Sequence, residues 1–293
     1  MGGTGRMLTA RVSRLYTWLP QFSAVPADTS WTFEPGAIAM IAILGGLYVG
    51  RWRRVRARHG TITVSGVRLA SFLAGLLAVG IALISPVDRL AEQAFTMHMV
   101  QHVLLLDLAP IALICGLTKV LLRPVTRRLQ AVERKAGVLA HPVFAVFAYV
   151  GLMWLWHVPA LYDAALRHSL VHVLEHVSFF SVGLLYWWHL LSPIRSRHRL
   201  SAMGAVVYMV STKLFVGLLG IALTFAPDAL YEFYKQQPPI WGLNPSEDES
   251  LAGGLMALEQ SIVMGIALVW LFIAALTEAD AKDWRLERYS SPS

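Results

Sequence analysis

The sequence predicts an all-α fold, a polytopic integral membrane helix bundle of seven transmembrane helices with its N-terminus outside and its C-terminus inside. Three observations predict it. The 293 residues are 56% hydrophobic and only 15% charged, with a mean hydropathy of +0.55, more apolar than an ordinary soluble domain. Seven apolar runs approach or exceed the ~20 residues a helix needs to cross a hydrocarbon core of ~30 Å. Cations, finally, concentrate in alternate loops between those runs, as the positive-inside rule requires.

Taken in order, residues 1–34 form an extracytoplasmic tail without the continuous apolar stretch of a secretory signal peptide. Within it Leu8, Val12, Leu15 and Leu19 recur on one helical face, apart from Arg11 and Arg14, which suits a short helix lying on the membrane surface. The membrane domain, 35–276, has its runs at 35–52, 67–85, 93–121, 142–159, 168–191, 202–225 and 251–276. Ser71 and Gly75, four apart in the second, permit close helix packing. The third contains Pro110, which removes a backbone donor and predicts a kink or break. Arg51, Arg53, Arg54, Arg56 and Arg58 follow the first run, Lys119, Arg123, Arg127, Arg128, Arg134 and Lys135 the third, and Arg195, Arg197 and Arg199 the fifth. These loops face the cytoplasm, as does the tail 277–293. The longest outer loop, 226–250, carries Glu247, Asp248 and Glu249. Trp154, Trp156, Trp187 and Trp188 fit interfacial aromatic belts.

A net charge of +7 and a pI near 9.8 do not indicate nucleic acid, because the arginines sit in short loops without interleaved aromatics. The surface partner they imply is the lipid bilayer. The single cysteine, Cys115, excludes an intramolecular disulfide and any CxxC motif. A bound metal would therefore be held by imidazole, thioether or carboxylate.

Six of the ten histidines gather near the outer ends of three runs. His98 and His102 lie one helical turn apart in the third, His157 ends the fourth, and His168, His172 and His176 step along the fifth. A four-residue step stacks side chains on one helix face, so the His98/His102 and His172/His176 faces can offer four nitrogens to one ion. Imidazole suits copper or zinc, and the thioethers of Met97 and Met99 favour Cu(I). Interhelical hydrogen bonding, at ~0.6 kcal/mol per contact, accounts for one such histidine more readily than for five on one side. Ionisable residues inside a bilayer are in general functional.

Other chemistries compete for the same residues. His172 to His176 reads HVLEH, the H-x-x-E-H spacing of inverted zinc peptidases, but no second acidic ligand is identifiable; Glu175 can instead orient a ligating imidazole. Histidines on the third and fifth runs can also ligate a haem iron from opposite sides, as in a haem-binding membrane redox protein. Asp107, Lys213 and Glu259 are charges inside apolar runs, costing at least ~2.5 kcal/mol each when unpaired. Asp107 and Lys213, both near mid-depth, are expected to pair or share a polar network, and they are the residues that would line the path of a copper transporter. Glu259 lies where it can face the histidines.

The blocks MHMVQHVLLLDLAP, WHVPALYDAAL, HSLVHVLEHVSFF, YWWHLL, LTFAPDALYEFY and SEDESLAGGLM, from about Ser85 to about Met256, resemble the CtaG family of cytochrome c oxidase assembly factors. The last span departs from that pattern, with ALEQSIVMG following GLM. The resemblance implies a multi-pass protein of the bacterial plasma membrane, not an enzyme, that helps mature a haem-copper oxidase subunit, with a proposed role in copper delivery. It makes His98, His102, His157, His168, His172 and His176 the copper-handling candidates. An extracytoplasmic copper donor would be a further partner.

Overall fold

In the computed structural model, which describes residues 26–194 and 196–290, helices account for the regular structure and no strand occurs among the described residues. The interfacial helix expected around Leu8 to Leu19 lies outside them. Helix α1 covers Pro35–Thr63, with a break at Gly60, and α2 covers Gly66–Ile84. The short α3, Pro86–Ala91, leads into α4, Phe95–Val103, then a π-helical turn, Leu104–Leu108, and α5, Ala109–Gly116. There follow α6 (Lys119–Leu122), α7 (Thr126–Ala136), α8 (Pro142–Trp156), α9 (Pro159–Arg167) and α10 (Ser169–Leu191). The chain closes with α11 (Ala202–Thr224), α12 (Glu232–Lys235) and α13 (Pro245–Ser290). Pro35, Pro86, Pro142, Pro159 and Pro245 each stand at a helix start, where the missing N–H costs nothing and the fixed φ is already helical.

Among the described residues, six helical segments are long and apolar enough to cross a membrane, the third of them running from Phe95 to Gly116 through the π turn. A seventh candidate is bent: the 15-residue α8 rises only about 22 Å and meets the Thr126–Ala140 segment at 63°. The three basic segments come together at one end of the bundle. Arg51 donates to the Val120 carbonyl at 3.1 Å, and Glu133 Oε1 accepts from Ser196 Oγ at 2.6 Å and from the Arg197 N–H at 2.8 Å.

The expected break at Pro110 is the π turn. The Ala109 N–H reaches back five residues to the Leu104 carbonyl, the widened ladder that relieves a proline one position on. Close backbone approach then fixes the bundle. Ser71 Oγ donates to the Ala112 carbonyl at 2.8 Å, and a Cβ on Gly75 would lie 2.8 Å from Leu113 N, so α2 lies flush on α5. A Cβ on Gly183 would fall 2.1 Å from the Leu106 carbonyl oxygen; only glycine lets α10 press against the π turn.

Two expectations are corrected here. Trp156 and Trp187 are not interfacial: both are buried, donating Nε1–H to Ser178 Oγ at 2.9 Å and to Asp107 Oδ1 at 2.7 Å. Nor does Asp107 pair with Lys213. Tyr149 Oη at 2.8 Å and Trp187 satisfy its carboxylate with neutral donors, while Lys213 lies half-buried beside Met209 and Met264. Neutral O–H and N–H groups stabilise a buried carboxylate without a second desolvated charge.

Candidate metal centre

The opposite end of the bundle holds the histidines. The register of α4 is set from the first turn of α13: Asp248 accepts the Phe95 N–H at 2.6 Å and the Thr96 N–H at 3.2 Å, and its carbonyl takes the Thr96 hydroxyl at 3.0 Å. A carboxylate on the first free N–H groups of a helix caps it and opposes the helix dipole. Asp248→Ala is expected to destabilise the protein by about 1–2 kcal/mol, read as a lower thermal midpoint in detergent, with Asp248→Asn recovering part of the loss.

With α4 and α10 so placed, the two histidine faces converge. Ring centroids lie 4.3 Å apart for His98 and His102, 4.1 Å for His172 and His176, and across the helices 5.3 Å for His98 and His172 and 5.9 Å for His102 and His176. Glu175 stands among them, fully buried, with Oε2 3.7 Å from His98 Nε2 and Oε1 3.5 Å from His102 Nε2. One ligand atom from each of His98, His172, Glu175 and His176 fits within a mutual separation of 4.8 Å. Such spacing holds an ion and is too tight to interleave a porphyrin. Glu175 therefore stands among the candidate ligands themselves.

The tautomer of His98 follows from its neighbours. Its Nδ1 lies 2.7 Å from Tyr162 Oη and 3.1 Å from Tyr234 Oη, and Tyr234 gives its own proton to the Ala91 carbonyl at 2.6 Å. Because the Tyr234 proton is committed to the backbone, its oxygen can only accept from His98, so the His98 proton sits on Nδ1, with Tyr162 Oη as the nearer acceptor. Burial holds both phenols well above their usual range, so they remain neutral. Nε2 of His98 is left as a bare lone pair facing Glu175. The same logic applies to His157: Nδ1 lies 2.6 Å from the Met153 carbonyl, which only accepts, so Nε2 carries the lone pair.

Nε2 of His98, His102, His172 and His176, with both oxygens of Glu175, have no hydrogen-bond partner and are shut off from solvent. Buried polar atoms are nearly always paired. Even allowing each ring one N–H, this pocket has more acceptors than donors, which is the electrostatic signature of a cation site. Outer hydrogen bonds to ligating histidines typically contribute 10–100-fold to metal affinity. Tyr162→Phe, which keeps the ring and removes the acceptor for His98, is expected to weaken binding by about tenfold or more, read by competition with a chromophoric chelator.

The remaining sequence candidates are dispersed. His157 is buried at the edge, its ring 6.0 Å from that of Tyr162. His168 is exposed at the start of α10, outside the ring cluster. Met97 packs toward Leu90, Ala94 and Ile240, because each helical step turns a side chain by about 100° from its neighbour. Met99, turned the other way, lines a small cavity with His102 and Glu259. Sequence reasoning missed Tyr162, Tyr234 and Asp248 as supports. Their only signal was membership of the blocks WHVPALYDAAL, LTFAPDALYEFY and SEDESLAGGLM.

Residues 46–278 match the family described as cytochrome c oxidase caa3 assembly factor, Caa3_CtaG. The chain belongs to this family. The matched stretch contains every residue of the centre and its supports, from His98 to Asp248, and all of the candidate spans except the first part of α1 and its preceding turn. Among characterised-sequence relatives, the CtaG-family chain is 25% identical over 248 residues to an uncharacterised protein of Mycobacterium leprae. It is 26% identical over 250 residues to uncharacterised proteins of Mycobacterium bovis and Mycobacterium tuberculosis. In each case 78% of this chain aligns, covering 36% of the relative, so the CtaG-family chain spans little more than a third of the length of these proteins. No solved structure matches it.

Proposed function

We propose that this protein binds copper at the centre formed by His98, His102, His172, Glu175 and His176 and passes it to a subunit of a haem-copper oxidase during assembly. The observation that carries this reading is the set of buried, unpartnered nitrogen and oxygen atoms between α4 and α10. Membership of an oxidase assembly family supplies the client. Copper is the cargo here, and no bond-making step on a substrate is required. Imidazole is a good copper ligand, and the thioether of Met99 beside His102 favours Cu(I).

In this reading the centre faces the outer side of a bacterial plasma membrane, where an extracytoplasmic donor can reach it. Exposed His168 and the edge residue His157 receive the ion, and ligand exchange between neighbouring imidazoles moves it. A multi-pass fold suits exchange with a membrane-embedded client.

The test is anaerobic titration of the purified protein with Cu(I) against a chromophoric chelator at several pH values. Protons compete with the metal for the imidazole nitrogens. Affinity is therefore expected to be full at neutral pH and to fall in acid solution, where the imidazoles take up protons. Copper binding no stronger than that of the detergent blank would overturn the proposal.

A further inference from the structure

Beside the histidine centre lies a second cavity, of which the reading above uses only the Met99 and His102 edge. Met99 from α4, Met153 from α8 and Met256 from α13 line it together with His102. All three methionines are buried, at 1%, 5% and 3% exposure, although they come from three separate helices. Asp107 and Glu259 border the same space, about one turn further from the histidine end.

The chemistry of the lining is specific. Thioethers are soft, polarisable donors that select Cu(I) over harder ions. An apolar core has no need of carboxyl groups, yet Asp107 and Glu259 bring theirs beside the sulfurs. Glu259 Oε1 and Gln260 Oε1, both in or at this lining, have no hydrogen-bond donor. Buried acceptors without donors again call for a cation. His102 belongs to both spaces: Nε2 faces Glu175 at 3.5 Å, and Nδ1 is equally without a partner. A neutral imidazole has one lone pair, on one nitrogen or the other according to tautomer. The ring thus serves one space at a time.

We propose that Met99, Met153 and Met256, with His102 as the shared ligand, form a second Cu(I) site, so that the protein holds an ion at the histidine and glutamate centre and another at the methionines, with His102 linking them. This rests on the copper reading and extends it by a separate ligand set. Asp107 offsets the charge of the inner ion without ligating it.

The experiment loads the full-length protein, in detergent, with Cu(I) under anaerobic conditions and measures copper per chain together with X-ray absorption at the copper edge. Wild type is expected to bind two ions and to show sulfur as well as nitrogen or oxygen scattering. The double variant Met153→Leu/Met256→Leu, close to volume-conserving, is expected to lose one ion and the sulfur contribution while keeping the other. The double variant His98→Ala/His172→Ala is expected to lose the nitrogen-rich ion and keep sulfur scattering. If selenomethionine-labelled protein shows no selenium neighbour around copper, the second site does not exist, a result independent of how the leucine variant folds. Loss confined to the histidine variant, with no change in the methionine one, would overturn this inference and leave the copper reading intact. Copper unchanged in both would overturn the two together.

Discussion

Replacing His172 and His176 together with alanine is expected to lower copper affinity at the histidine centre by roughly a hundredfold or more, since losing even an outer support of a ligand costs 10–100-fold. Both rings come from one face of α10 and lie on opposite sides of Glu175 in sequence, so their loss leaves that carboxylate buried with only His98 and His102 near it. The fold should survive, because two cavities beside a polar cluster remove few apolar contacts. The measurement is copper content after dialysis against a weak chelator, beside a thermal melt. Cells whose only copy is this variant are expected to accumulate haem-copper oxidase with reduced activity that added copper partly restores. Equal copper in variant and wild type would remove the centre as the binding site.

The second large effect is at a residue with no chemistry. Gly183→Ala places a methyl 2.1 Å from the Leu106 carbonyl oxygen, and backbone cannot move aside as a side chain can. Overpacking of this kind costs about 3 kcal/mol or more. Relief requires α10 to retreat from the π turn, which draws His172, Glu175 and His176 away from His98 and His102. Thermal stability and copper affinity are therefore expected to fall together. Gly151→Ala and Gly254→Ala serve as controls, since a Cβ at either position meets nothing within 4 Å and alanine is the better helix former by roughly 1 kcal/mol. A Gly183→Ala protein with unchanged melting and affinity would show that the contact is not what sets the spacing of the two helices.

Hydropathy and loop charge made most of the bundle legible, because the bilayer leaves few choices for a long apolar run. The four-residue histidine steps placed two faces correctly, and Pro110 announced the break that the structure resolves as a π turn. The short α8 was overextended in the sequence reading because hydropathy continues past Trp156 into residues that turn at His157 and Pro159. Composition also misled on Trp187, whose indole lies inside the bundle as a donor to Asp107; interfacial and buried tryptophans differ only in what stands opposite them. Tyr162 and Tyr234 were illegible for a related reason. A tyrosine on a short connecting helix gains its role from a partner 64 or 136 residues away, and periodicity carries no information at that range. Glu175 was visible as a charge but not as a central one, since its place depends on how far α10 approaches α4.

The π turn gives the span from Phe95 to Gly116 two independent angular settings. One additional residue accommodated between Val103 and Ala109 offsets the lower half against the upper by about 100° relative to an uninterrupted helix. Above the offset, phase turns His98 and His102 toward α10; below it, phase lays Gly116 and Leu113 on α2. A continuous helix could satisfy one of these demands and would turn the other toward lipid. Removing a single residue from Leu104–Leu108 would thus act as a rotary displacement, leaving every residue type in place while pointing half of the span in the wrong direction. The length of this segment is consequently a requirement in its own right, apart from which apolar side chains fill it.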